Sequence, residues 1–196
     1  FYATYTAYSG SKIRQQLLET RDFRSFVSTP MVGIAAANKG LALFPRRIGG
    51  RFAALSRSDR ESNSIAYSDR PFVWTSAVPC QQPVEAWEAL QLGNCGSPIE
   101  TEAGWLVLTH GVGPMRTYRI GAILLDLDDP TRIIGRLREP LLSPADDEQN
   151  GYVPNVVYSC GAMVHADTLV LPYGIGDAAI GRAAVSLPLL LDALVR

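Results

Sequence analysis

Cysteine, histidine and net charge are all scarce in this chain, and each scarcity argues against a class of function. Only three cysteines occur, at 80, 95 and 160, and no two stand in a CxxC spacing. An odd count without paired spacing argues against a disulfide framework and a structural zinc site. They read as buried thiols in a reducing compartment, and the expected setting is cytoplasmic. Net charge is −1, the pI is about 6.2 and the basic residues are dispersed, so no basic face is expected to hold a nucleic acid by its phosphates. No apolar run approaches the roughly 20 residues of a membrane span; the LPLLLDALV tail is short and carries Asp192. FYATYTAY at the front has no charged leader and no cleavage pattern, so it reads as a strand inside a fold rather than a signal peptide. GIGDAAIG, from Gly174 to Gly181, has no βαβ unit around it and is no dinucleotide motif. Asp126, Asp128 and Asp129 lack the spacing and closing Glu of a calcium loop and read as turn residues. Neither a metal nor a cofactor is expected.

What the 196 residues do contain is enough apolar material for one domain, residues 1–196, with hydrophobic residues at 47% and charged residues at 19%. The pattern is short strands punctuated by glycine, proline and asparagine, which points to an all-β sandwich, barrel or propeller. Strands are expected at Tyr2–Tyr8, Ile13–Glu19, Leu41–Phe44, Arg51–Arg57, Ile65–Tyr67, Pro71–Trp74 and Arg132–Leu137. Two more are expected at Asn155–Val164 and Leu169–Tyr173, and a last at Ala183–Ser186. Val84–Leu90 suits one or two helical turns, and Pro188–Val195 a helix with Pro in its first turn.

The longest apolar stretch is Gly104 to Asp129, two extended runs joined by a glycine-rich loop. It places His110, one of only two histidines, where a strand reaches that loop, the usual place for a scaffold to present polar groups. Internal repetition separates the three architectures. Segments starting at Tyr2, Phe52, Trp105 and Leu169 share one plan, apolar residues followed by a polar tip and a turn, at intervals of roughly fifty to sixty residues. Such a period fits propeller blades. Equivalent strands then line one channel, and Tyr8, Arg57, His110 and Tyr173 with Asp177 would converge there. Aromatic, cationic and carboxylate groups in one funnel suit a polyhydroxylated ligand.

Several motifs in order carry a resemblance. They are Leu43-Phe44-Pro45-Arg46-Arg47-Ile48-Gly49-Gly50-Arg51, Gly96-Ser97-Pro98-Ile99-Glu100 through Trp105, His110-Gly111-Val112, and Tyr118 through Ala122 leading to Leu125–Pro130. Val153-Pro154-Asn155-Val156-Val157 and Tyr173-Gly174 with Asp177 complete the set. Together they resemble glycoside hydrolase family 130, the β-mannoside phosphorylases and related mannosidases, over nearly all of the chain. The resemblance implies a five-bladed β-propeller, with about four blades present here. It implies cleavage of β-mannosidic or related glycosidic bonds with inversion, by inorganic phosphate in the phosphorylases and by water in the hydrolases. Phosphate as co-substrate requires clustered cations.

Carried over residue by residue, Arg57 matches a phosphate-binding arginine, and Lys39, in Asn38-Lys39-Gly40, falls near a second cationic position. The phosphorylases' third cation is a lysine after a Trp-Glu motif; here Trp87-Glu88-Ala89-Leu90 is followed by Gln91. His110, Tyr118 and Asp177 match substrate-binding positions. The family's general acid is an aspartate in a Glu-Asp-Pro-Arg segment preceding the strand that opens this chain, so the resemblance implies an N-terminally shortened chain without that acid. The expected partner is an oligosaccharide or mannoside substrate, with no nucleic acid and no membrane; a homo-oligomer stays open. The alternative is a non-catalytic carbohydrate-binding propeller or a pseudo-enzyme.

Overall fold

The strand Gly104–Val112 is buried at every residue, which an alternating amphipathic strand could not be. Both its faces are covered. Leu106 and Leu108 pack with Val157, Leu169 and Leu171 of the chain's last sheet, whereas Trp105 and Val107 pack with Phe44, Leu55 and Ile65 of an earlier one. A sheet sandwiched between two others is the arrangement of a propeller blade, and it explains why this stretch is the most apolar of the chain.

The computed structural model describes residues 1–195 and contains four antiparallel sheets in sequence order. The first is β1 (Tyr2–Tyr8), β2 (Ile13–Thr20) and β3 (Phe26–Pro30). The second is β4 (Ala42–Leu43), β5 (Phe52–Ser56), β6 (Asn63–Ser68) and β7 (Val78–Gln81). The third holds β8 (Gln91–Asn94), β9 (Ile99–Thr101), β10 (Gly104–Val112), β11 (Tyr118–Leu125) and β12 (Ile133–Arg136). The fourth holds β13 (Val157–Tyr158), β14 (Met163–His165), β15 (Thr168–Ile175) and β16 (Ala179–Ser186), followed by α1 (Leu187–Leu194). These are four blades of an all-β propeller. Its core is three layers between neighbouring sheets. The third layer sets Leu17 and Met31 against Ala54, Ala66 and Trp74. Each fully buried Leu, Ile or Val contributes about 1.5–3 kcal/mol, and small alanines on β5 and β6 let the first two sheets approach.

The differences from the expected strands have local causes. Pro71–Trp74 is a turn, because Val32 and Val73 form a single parallel bridge and Trp74 Nε1 donates back to the carbonyl of Pro71. Asn155–Val164 divides into β13 and β14, since Gly161 adopts φ +145° between them. The last strand begins four residues early, at Ala179. Strands β3, β7, β8 and β9 carry no apolar alternation of their own and are held by pairing with stronger neighbours. The Asp126 carboxylate accepts the amides of Asp128 and Asp129, both at 2.9 Å, as a turn residue should. Cys160 corrects the reading of three buried thiols: Cys95 is buried and Cys80 half-buried, but Cys160 is exposed. Burial pushes the thiols of Cys80 and Cys95 up to about 12. No helix among the described residues is long and apolar enough to cross a membrane.

Candidate active site

All four sheets deliver a residue to one cleft of about 430 Å³. Its wall is Ile13 at the start of β2, Asn38 and Lys39 ahead of β4, Arg57 and Arg60 after β5, Gln91 opening β8, His110 in β10, Tyr118 opening β11 and Tyr158 ending β13. Four of the five residues singled out from sequence, Lys39, Arg57, His110 and Tyr118, therefore meet. Asp177 lies beside them, in an adjoining hollow of about 480 Å³ that shares Tyr118 and Tyr158 with the cleft. The other two expected tips do not line either space. Tyr8 is exposed and its hydroxyl donates to the carbonyl of Gly10. Tyr173 covers Gly181 and donates to Glu148 at 3.0 Å.

Arg57 dominates the electrostatics. Its Nη2 donates to the carbonyl of Arg60 at 2.7 Å, yet its buried Nε has no partner. Among the described residues no carboxylate lies within ion-pairing distance of it, and none lines the cleft. Burial holds its guanidinium below the ordinary value. Glycine makes its place: a Cβ on Gly93 would stand 2.3 Å from Nε, and one on Gly40 2.9 Å from Cδ. Lys39 and Arg60 add two further cations. Asn38 links them to the frame, taking the Arg60 Nε on its Oδ1 at 3.1 Å while its own carbonyl accepts Gln15. Asp59 acts on Arg57 only from beyond ion-pairing distance, and three cations with no carboxylate paired to Arg57 suit an anion.

His110 is not at the strand's end but within it, and only 2% exposed. Its Nδ1 lies 3.2 Å from the carbonyl of Asn94. A carbonyl only accepts, so Nδ1 carries the proton and Nε2 is the free acceptor. Asn94 is a residue that sequence reasoning missed: its side chain also donates to the carbonyl of Gly40 at 2.6 Å, tying the Lys39 loop to the histidine. The ring stacks on Tyr118, with centroids 6.1 Å apart, and packs against Tyr158. Burial first, then the charge of Arg57, lowers His110 to about 3, so the imidazole is neutral at physiological pH. Burial also raises Tyr158.

The sign of that shift makes a prediction. The unfolded chain takes up a proton near pH 6.5 that the folded chain refuses until about pH 3. Stability from this group is therefore complete above pH 6.5 and falls as the pH drops below it, by up to about 1.4 kcal/mol per unit. Urea unfolding at pH 6.5 and pH 5 should show about 2 kcal/mol less stability at the lower pH, and His110→Gln should remove most of that difference. An equal loss in the variant would assign it elsewhere.

Backbone strain points to the same region. Seven non-glycine residues among those described have left-handed backbones, and five of them, Arg60, Met115, Arg116, Asn155 and Asp177, line the cleft or its neighbour. Each costs roughly 1–3 kcal/mol and persists where the surroundings dictate it, commonly at functional sites.

A family model described as beta-1,4-mannooligosaccharide phosphorylase matches residues 1–196. The 1,2-beta-oligomannan phosphorylase of Thermoanaerobacter sp. strain X514 is 40% identical over 152 residues, covering 76% of this chain and 51% of that protein. The beta-1,2-mannobiose phosphorylase of Listeria innocua is 32% identical, over 99% of this chain and 56% of its own length. A solved structure of the latter with beta-1,2-mannobiose superposes with a TM-score of 0.87 at 30% identity, covering 98% of this chain and 56% of that one. A glycosyl hydrolase from Bacteroides ovatus shares the fold, with a TM-score of 0.81 at 21% identity over 93% of this chain and 60% of that one. The chain thus spans about half the length of the two curated relatives.

Proposed function

Because this chain belongs to the beta-1,4-mannooligosaccharide phosphorylase family, glycoside hydrolase family 130, we propose that its cleft is the phosphate-side half of a β-mannoside phosphorylase site. The observation that carries this is the composition of the wall: Lys39, Arg57 and Arg60 converge, and no carboxylate among the described residues lines the cleft with them. A hydrolase must activate water with a carboxylate base. A phosphorylase must hold a dianion beside the anomeric carbon, for which uncompensated cations are the requirement. Gln91, standing where the phosphorylases carry a lysine, does not remove the cationic character, because Arg60 faces the same space.

In this reading phosphate binds the guanidinium of Arg57 with Lys39 and Arg60, which screen its charge and fix one oxygen for attack. The Tyr118 hydroxyl accepts a hydrogen bond from Gln91 at 3.2 Å, so its own proton points to a ligand acceptor. Neutral His110 offers Nε2 to a sugar hydroxyl, and Asp177, in the adjoining hollow, offers a carboxylate to others. The phosphate oxygen forms its bond to the anomeric carbon as the bond to the leaving sugar breaks, giving mannose 1-phosphate with inverted configuration. The leaving oxygen takes a proton from an acid outside these wall residues.

The test incubates the full-length protein with mannobioses of each linkage, with and without inorganic phosphate. Mannose 1-phosphate that forms only with phosphate supports the reading. Free mannose at an equal rate without phosphate replaces it with hydrolysis, and no product from any linkage overturns the mannoside assignment. Inorganic phosphate at one hundred times its dissociation constant should also raise the unfolding free energy of this chain by about 2.7 kcal/mol. No shift in the melting temperature would argue against an anion site.

A further inference from the structure

Trp87 stands behind the wall just described. β10 and β11 pair so that His110, Val112, Tyr118 and Ile120 share one face of the hairpin, and Thr109, Gly111, Arg119 and Gly121 share the other. The first face turns His110 and Tyr118 into the cleft. The second is bare at both glycines, and the indole of Trp87 lies on it. A Cβ on Gly111 would come within 2.5 Å of Cζ3, and one on Gly121 within 2.5 Å of Cη2. A Cβ on Gly113, in the loop leading to the left-handed pair Met115 and Arg116, would stand 3.0 Å from the Trp87 backbone. The indole is fixed at its far end, where Nε1 donates to the carbonyl of Arg138 at 2.8 Å.

The short turn that carries Trp87, Ala86–Glu88, runs directly into β8. Glu88 is buried and braces the turn, accepting the amides of Val84 at 2.8 Å and Glu85 at 3.2 Å and pairing with Arg136 at 3.5 Å. The Leu90 amide then bonds to the carbonyl of Val112, and Gln91, opposite Val112 in the ladder, reaches the Tyr118 hydroxyl. Gln91 thus stands four positions after the indole, on a segment braced at Glu88, Leu90 and Gln91.

We propose that Trp87 is a positioning residue for the cleft: by seating the Ala86–Glu88 turn on the glycine face of the hairpin, it sets Gln91 against Tyr118 and so aims the tyrosine hydroxyl at the bound anion. The proposal rests on the reading of the cleft as a phosphorylase site. In the full-length protein, Trp87→Ala should raise KM for phosphate and lower kcat/KM about tenfold to a hundredfold, the scale of a side chain misplaced by about an ångström. Trp87→Phe, which refills most of the seat, should recover most of that loss. A purely structural tryptophan would lower the melting temperature and leave KM unmoved, and that result overturns the proposal. Should Trp87→Ala fail to fold, Gly121→Ala pushes a methyl against the indole while keeping it, and the same rise in KM is expected. A crystal structure decides the matter independently of turnover: Gln91 and Tyr118 separated beyond about 3.5 Å in either variant supports positioning, and an unchanged hydrogen bond overturns it. Absence of mannose 1-phosphate from the wild type would instead sink the phosphorylase reading, leaving that structural test in force.

Discussion

Arg57→Met is expected to abolish most phosphate-dependent turnover, by roughly a hundredfold to a thousandfold in kcat/KM, the loss typical of removing a preorganised donor from a developing charge. The same substitution is expected to leave the melting temperature unchanged or higher. The two effects have one origin. The guanidinium is half-buried, its Nε is hidden without a partner, and no carboxylate in the described residues pairs with it. Asp59 acts on it from beyond ion-pairing distance and burial outweighs that attraction; a charge so held destabilises the fold, and an apolar side chain of similar length removes that penalty. On the proposed reading of the cleft, the charge is kept because an arriving anion supplies what the protein withholds. Arg57→Lys should not restore turnover, since a point charge on a flexible stem cannot reproduce the planar fork. Kinetics at varied phosphate and thermal unfolding of the three proteins measure both halves. Turnover within threefold of wild type would remove Arg57 from the anion site. A marked loss of stability would mean that its charge is compensated after all.

How much of this was legible beforehand follows from where the information lies along the chain. β10 and β11 were readable because both are long and apolar, and burial on two faces leaves that mark in composition. The repeat of strand and polar tip led to Arg57 and His110, which reach the cleft from successive sheets. It failed for Tyr8 and Tyr173, because a tip's direction depends on the twist of its own sheet and on the turn that follows. Arg60 was hidden in what reads as a polar loop from Ser58 to Ser64; it reaches the cleft through a left-handed backbone, φ 72°, that no arginine advertises. Asn94 and Tyr158 were unreadable for another reason. They act through a backbone carbonyl and a ring contact with His110, which exist only once the sheets have packed. Gln91 looked like a lost charge and proved to be a wall residue, hydrogen-bonded to Tyr118.

Gly93→Ala should lower phosphate affinity about tenfold to a hundredfold without replacing any group that could bind phosphate. Gly93 lies in β8, paired with His110, and its backbone is not left-handed, so alanine brings no conformational strain of its own. What alanine brings is a methyl 2.3 Å from Nε, 2.4 Å from Cδ and 2.6 Å from Cζ of Arg57. The guanidinium must move, and its stem is also close to Gly40, where a Cβ would stand 2.9 Å from Cδ. Overpacking of this kind costs about 1–3 kcal/mol of stability, readable by thermal unfolding. The decisive measurement is the double variant. If Gly93 matters only as the space Arg57 occupies, then Gly93→Ala in the Arg57→Met background should cost almost nothing further in turnover, because the flexible thioether yields where the planar guanidinium cannot. Additive losses would mean instead that the methyl disturbs His110 across the ladder, and that the glycine serves the histidine rather than the arginine.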